Sequence, residues 1–284
     1  MSKVGEIRPS QLLWTFGPGA LIDFPNISVV NLNIDLWQKP HCTKIQEARL
    51  LSAVQKHLGP TVQDLLVPPL DEDKDTVPPV GVPVQAFPRW MRCVNCGLLS
   101  PCDSGLFVLK EDRYRPERTR YVHQDCRGSK NDKPPRNSDT VPARFLLACR
   151  SGHLDDFPWI WFVHGGASCA SPRLRFYENG SSLQTEDLWV RCDTCSAARN
   201  MAQAFGQAGA RNLPACRGRH PHLAIFEDDG CDQEPRAILL GASNGWFPVT
   251  LSVLATPLTG IPLDQIVADN WPSLEGITEA SLVQ

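Results

Sequence analysis

Two short cysteine pairs constrain this 284-residue chain more than any other feature. Arg92-Cys93-Val94-Asn95-Cys96-Gly97 and Arg191-Cys192-Asp193-Thr194-Cys195 each present two thiols from one tight stretch of backbone. A Cys-x-x-Cys turn delivers two of the four ligands that tetrahedral zinc takes. The glycine after Cys96 permits the turn that close sulfur packing requires. The competing reading is a redox dithiol, but that motif opens a helix in a strand–helix–strand unit. Cys93 instead follows a proline-rich connector. A site closed by four protein ligands leaves no open position, so its metal folds the chain and does no chemistry.

The remaining cysteines fill out the pattern. There are 11, an odd number that argues against complete disulfide pairing. The N-terminus has no basic stretch followed by an apolar core, so no signal peptide is read there. The longest apolar run, Trp246 to Leu263, is broken by Pro248, Pro257 and Pro262 and does not read as a membrane span. Both points predict a cytoplasmic protein with reduced thiols, where paired cysteines mean metal more often than disulfide. Two structural zinc ions are expected. Cys93, Cys96, Cys126 and Cys149 form the first set, with His123, Cys102 and His153 as competitors. Cys192, Cys195, Cys216 and Cys231 form the second, where His220 or His222 could replace a thiolate. Cys42, Cys102 and Cys169 are left as ordinary thiols.

The chain divides by composition. Residues 1–60 read as a strand–helix segment and 61–88 as a proline-rich acidic connector. Residues 89–165 and 166–240 hold the two zinc modules, and 241–284 begin a C-terminal region. Alternation of Val30, Leu32, Ile34 and Leu36 with polar residues predicts a half-buried strand. A helix is expected over 43–59, capped by Thr43 with Gln46 and stopped at Gly59-Pro60. Further helices are expected over 196–207, over 263–268 and near Pro158, the last capped by Asp155 and Asp156. Two buried β-type runs are expected at 236–244 and 246–254, helix remaining an option for the second. The fold class is α+β: irregular and loop-rich, with two zinc-knuckle modules in a mixed α/β frame.

A net charge of −3 gives no global attraction to nucleic acid or anionic membrane. Local patches differ. Lys110 to Arg136 carries nine Lys/Arg against five Asp/Glu, and Asp193 is the sole acid between Arg191 and His222. Arg113, Arg115, Arg118, Arg120, Arg199, Arg211, Arg217 and Arg219 are therefore candidate phosphate contacts, set against the reading of a solvated surface. Gly17-Pro18-Gly19 lacks the lysine and hydroxyl of a phosphate loop and reads as a structural turn. His153 with Asp155 and Asp156 offers one catalytic alternative, a metal-dependent nuclease. No kinase, nucleophile-elbow or HExxH pattern occurs, and the residues favour a zinc-stabilised binding module over an enzyme.

Several separated blocks go further. They are Ile7-Arg8-Pro9-Ser10-Gln11, Phe16-Gly17-Pro18-Gly19-Ala20-Leu21-Ile22-Asp23, Arg89-Trp90-Met91-Arg92-Cys93, Gly152-His153-Leu154-Asp155-Asp156-Phe157-Pro158-Trp159 and Gly241-Ala242-Ser243-Asn244. Together they resemble the DrmB family, helicase-associated proteins of the DISARM bacterial anti-phage system. The resemblance runs from about Val4 to about Ile277. It implies a partner, the DISARM helicase DrmA, in a complex that engages phage DNA, including duplexes with a single-stranded 5′ overhang, while a methyltransferase marks host DNA as self. The helicase would hydrolyse ATP, and this chain would supply a zinc-bearing scaffold that shapes the DNA path. No small-molecule substrate or membrane is implied; a pure protein scaffold that never touches DNA is the third option. Family members usually carry a C-terminal half beyond this chain, so an N-terminal half, a split subunit or a truncated product is expected.

Overall fold

The computed structural model describes residues 7–69, 80–112, 115–128, 133–178, 185–242, 245–254 and 263–275. The chain forms two units, one of Met1–Thr43 with Leu66–Thr250 and one of Lys44–Leu65 with Leu251–Gln284. The larger unit opens with α1 (Pro9–Trp14) and a three-stranded antiparallel sheet of β1 (Leu21–Asp23), β2 (Ser28–Asn31) and β3 (Val84–Ala86). The smaller unit holds α2 (Ala48–Leu58), described below. Among the described residues, no helix is long and apolar enough to cross a membrane.

The rest of the larger unit is built on an eight-stranded antiparallel sheet. Its strands are β4 (Trp90–Cys93), β5 (Leu98–Pro101), β6 (Phe107–Lys110), β7 (Arg120–Cys126), β8 (Arg136–Pro142), β11 (Leu174–Glu178), β12 (Leu188–Cys192) and β13 (Ala198–Asn200). They lie in the order 13-12-11-5-4-8-7-6. β12 shows why such segments become strands: Leu188, Val190 and Cys192 point inward while Trp189 and Arg191 alternate outward. β11 pairs with β5, so one sheet runs through both segments that the sequence sets out as separate zinc modules.

A second sheet, β9 (Phe145–Ala148) between β10 (Leu154–Asp156) and β16 (Arg236–Leu239), packs beneath. β9 is buried on both faces. Phe145 and Leu147 join the main core, and Leu146 joins a second cluster with Val30, Phe87 and Leu154. The main core is aromatic. The Trp159 ring lies 4.7 Å from that of Phe157 and 5.7 Å, edge to face, from that of Phe145. Trp159 and Phe162 enter it from α3 (Trp159–His164), which Gly165 ends in a left-handed conformation at φ 66°. Near the surface lie α4 (Gly206–Ala210) and the two-stranded hairpin of β14 (Arg219–His220) and β15 (Ile225–Phe226). The smaller unit also holds α5 (Leu263–Asp269) and α6 (Trp271–Leu274).

The fold is α+β and loop-rich, as the sequence reading has it, but several local expectations fail for physical reasons. The strand expected over Val30–Leu36 ends at Asn31. There Asn33 donates a side-chain hydrogen bond to Asp35, and the chain turns into a 3-10 helix that leaves Ile34 and Leu36 exposed. The helix begins at Ala48, with Glu47 as its cap, instead of at Thr43, because Ile45 donates its backbone N–H to the Leu65 carbonyl at 2.8 Å. Residues 196–207 divide between β13, a 3-10 turn and the start of α4. Residues 246–254 form neither strand nor helix: Pro248 removes a donor, and Val249 and Leu254 stand 91% and 85% exposed. The helix near Pro158 has no side-chain cap; Asp155 and Asp156 lie on β10 instead. The acidic run 71–75 lies outside the described residues.

Gly17-Pro18-Gly19 is a structural turn, closed by the Ala20 N–H on the Gly17 carbonyl at 2.9 Å. Fully buried Asn31 donates to the Phe16 carbonyl and ties that turn to β2. Substituting Phe162, with no exposed surface, by alanine should cost about 3–5 kcal/mol in a denaturant titration. The same change at Phe247, 72% exposed, should move stability by no more than about 0.5 kcal/mol.

Candidate metal centres

All 11 cysteines are free thiols, and ten ligand-type side chains besides Cys93 and Cys192 converge with them in three four-donor clusters among the described residues. The first cluster is Cys93, Cys96, His123 and Cys126. Cys93 ends β4, Cys96 sits in the turn to β5, and His123 and Cys126 lie on β7, which reaches them across β8. Cys93 Sγ lies 3.8 Å from Cys126 Sγ, and Cys96 Sγ lies 3.5 Å from His123 Nδ1. The Cys96 thiol beside Cys93, together with the Ser138 hydroxyl, outweighs burial and holds Cys93 down at about 4, which favours one thiolate in the cluster.

The second cluster is Cys149, His153, Cys216 and Cys231. Cys149 follows β9 and His153 precedes β10, with Gly152 turning between them at φ 85°. Cys216 and Cys231 come from loops on either side of the β14–β15 hairpin. His153 Nδ1 lies 3.3 Å from Cys149 Sγ and 3.6 Å from Cys216 Sγ, and the Cys149 and Cys231 sulfurs are 3.9 Å apart. Backbone N–H groups of Gly218 and Gln233 point at the sulfurs of Cys216 and Cys231.

The third cluster is His164, Cys169, Cys192 and Cys195. Cys169 and Cys192 sulfurs are 3.7 Å apart. At the end of α3, His164 donates from Nδ1 to the Ile160 carbonyl at 2.7 Å, which leaves its buried Nε2 without a hydrogen-bond partner and with a lone pair to offer. Burial alone would push the Cys192 thiol up, but backbone N–H groups of Cys195, Arg173 and Thr194 bring it down to about 6.

These spacings fit tetrahedral zinc. Bonds of about 2.3 Å to sulfur and about 2.0 Å to nitrogen imply S···S edges of about 3.8 Å and S···N edges of about 3.5 Å. The clusters can hold metal ions and are compatible with zinc.

The two Cys-x-x-Cys turns are built alike. Gly97 and Ser196, each after the second cysteine, adopt positive φ of 69° and 65°, and their N–H groups bond the carbonyls of Cys93 and Cys192 at 2.9 Å. A side chain at Gly97 would place its Cβ 2.4 Å from the Phe176 carbonyl oxygen, so only glycine lets β11 approach. Between the turns lies Arg175 on β11, only 3% exposed. Its Nε donates to Asp193 at 2.6 Å and its terminal nitrogen to the Cys96 carbonyl at 2.7 Å, so one guanidinium joins the first cluster to the third.

The structure groups the expected ligands differently from the sequence reading. Cys149 stands with Cys216, Cys231 and His153, not with Cys93, Cys96 and Cys126, because β9 belongs to the other sheet. His123 completes the first cluster, while Cys169 and His164 complete the pair Cys192 and Cys195. His123-Gln124-Asp125-Cys126 carried the two-residue spacing of a knuckle in plain view. His164 had no such signal.

Asp155 and Asp156 border a cavity of about 650 Å³ beside the second cluster. Arg217 grips Asp155 from two nitrogens at 2.7 and 2.9 Å, and Arg219 bridges both carboxylates at 2.7 and 2.8 Å. Asp156 also accepts the Arg89 backbone N–H at 2.6 Å. With His153 turned into the cysteines, these carboxylates are occupied as a structural clamp. Of the candidate phosphate contacts, Arg219 is thus half-buried and engaged in the clamp, and Arg217 lies over the Phe226 ring at 5.2 Å. Arg120 pairs with Asp139, and Arg199 lies over the Phe162 ring at 5.1 Å. Arg115 and Arg118, in the connection from β6 to β7, and Arg211 are exposed. Arg113, Ser243 and Asn244 lie outside the described residues.

Residues 8–247 match the family model described as a domain of unknown function, DUF8724. The chain is 28% identical over 238 residues to "DISARM protein DrmB" of Bacillus paralicheniformis, a match that covers 83% of this chain and 37% of that relative. The chain therefore spans little more than a third of the relative's length, and the resemblance read from its sequence blocks is upheld.

Replacing Arg175 by methionine should leave the buried Cys96 carbonyl unpaired and lower stability by about 2–3 kcal/mol, read by denaturant titration. A change below about 0.5 kcal/mol would show that the guanidinium does not join the two turns.

Proposed function

The chain belongs to the family of the domain of unknown function DUF8724, and from that premise, with its likeness to DrmB, we propose that it is a non-catalytic, zinc-stabilised subunit of a DISARM anti-phage complex. Each of the three clusters holds one structural zinc ion, with three thiolates and one imidazole filling all four positions. Where the sequence led to two ions held by cysteine sets with histidines as competitors, this reading has three ions, with His123, His153 and His164 as ligands. The observation that supports this is the convergence of three cysteines and one histidine, their donor atoms within 4.8 Å of one another, in three separate clusters. Closed sites of this kind contribute folding energy and no reaction.

The partner is the DISARM helicase DrmA, in the cytoplasm, and DNA is engaged through the complex. Arg115 and Arg118, exposed on the connection between β6 and β7, are the arginines best placed to meet phosphate. The arginine clamp on Asp155 and Asp156 weighs against the nuclease alternative, since a catalytic ion would have to displace two guanidiniums.

Co-expression of this chain with the helicase, capture of one and assay of the other with bound zinc tests both halves. Stoichiometric co-purification with about three zinc ions per chain is expected. A folded chain free of metal would overturn the zinc reading, and three ions without the helicase would overturn the partner reading. Chelation should lower the thermal midpoint, and added zinc should restore it. In the complex, exchanging Arg115 and Arg118 for glutamate should reduce the salt dependence of DNA binding by about two in log–log slope. An unchanged slope would place the phosphate contacts elsewhere.

A further inference from the structure

We propose that Glu227 is the positioning carboxylate of the Cys149, His153, Cys216 and Cys231 centre, and that the β14–β15 hairpin secures this one metal ion from outside its ligand shell. The inference rests on the zinc reading above and adds a residue that is not itself a ligand. His153 works in two directions. Its Nδ1 faces the sulfurs of Cys149 and Cys216, and its Nε2 lies 2.8 Å from Glu227 Oε1. The ring is 3% exposed, and its buried Nε2 makes no well-aligned hydrogen bond, Glu227 Oε1 being the carboxylate oxygen it approaches. Once Nδ1 binds metal, the ring proton sits on Nε2, and a buried N–H without an acceptor is costly. Glu227 is the acceptor in reach. A carboxylate there fixes the tautomer and the ring plane and strengthens the imidazole as a donor.

The placement of Glu227 is built, not incidental. Its backbone N–H bonds the Gly218 carbonyl at 2.8 Å, two residues beyond the ligand Cys216. Gly218 holds φ +64°, and a Cβ there would fall 2.9 Å from the Glu227 Cβ. Glycine at 218 is therefore what lets the carboxylate approach. The same carboxylate oxygen lies 3.3 Å from His220 Nε2, and Arg219 beside it clamps Asp155 and Asp156 on the strand that follows His153. The hairpin thus grips the second centre through two neighbouring residues and one returning carboxylate.

The other centres are held differently. His164 is oriented by the Ile160 carbonyl, and His123 stands edge-on to the Phe107 ring at 5.7 Å. Loss of the Glu227 carboxylate should therefore affect one ion of three.

The full chain loaded with cobalt(II) provides the test, through chelator competition and the visible absorption of the thiolate-bound ions. Glu227→Ala should weaken one of three ions about 10- to 100-fold and shift the absorption of that ion alone. Glu227→Gln, which keeps an acceptor oxygen, should recover most of the loss. Unchanged affinity for all three ions in Glu227→Ala overturns the proposal, as does an equal weakening of all three. A fourth ion in the parent chain that both Glu227→Gln and His220→Ala release would make Glu227 a ligand with His153 and His220, and also overturns it. A parent chain that takes up no cobalt would show instead that the zinc reading itself has failed.

Discussion

The guanidinium of Arg175 is the interaction on which the rest of the structure leans. A fully buried cation is costly unless its hydrogen bonds are met, and here they are met by a carbonyl of one cysteine turn and an aspartate of the other. Its strand, β11, is where β5 and β12 meet in one continuous sheet. The pairing fixes register: Leu174 stands opposite both Leu99 and Cys192, so a slip of one residue would turn Arg175 to the wrong face and bring a leucine or phenylalanine to the cysteine turns. The two clusters are consequently not beads on a string. Each is held in place by a sheet that the other also closes.

Much of this was written in the chain. The Cys-x-x-Cys pairs mark strand–turn–strand corners, and alternation along Leu188–Cys192 marks a half-buried strand. The aromatics after Asp156 enter the core as their apolar character requires. What the sequence could not show was which distant cysteine or histidine joins which pair. Cys149 is closer along the chain to Cys126 than to Cys216, yet the order of strands sends it to the latter. His164 lies in an apolar run and carries no spacing signal; only the end of α3 brings its Nε2 to the sulfurs. Apolar composition alone also misled at 246–254, where no strand edge receives the chain. At Ile34 and Leu36 the alternation was real, but local side-chain bonding of Asn33 won over extension.

The arginines make the same point for function. Charge by itself could not distinguish a residue that meets solvent from one that meets a carboxylate. Arg217 and Arg219 stood among the candidate phosphate contacts, but they pair with Asp155 and Asp156 and cover Phe226 and Phe87. The acidic pair that resembled a reaction centre and the basic pair that resembled a phosphate contact satisfy one another. That mutual pairing was invisible because 62 residues separate Asp155 from Arg217.

The second cluster draws its side chains from across the chain: Cys149 and Cys231 are 82 residues apart, against 33 for Cys93 and Cys126. The third cluster lies wholly inside that interval. During synthesis, then, the clusters become available in a fixed sequence: the first once Cys126 has emerged, the third after Cys195, and the second only when Cys231 follows. The last to be completed encloses the one before it. A ribosome halted between Cys216 and Cys231 would hold a nascent chain in which Cys149, His153 and Cys216 still wait for the last thiol of their cluster.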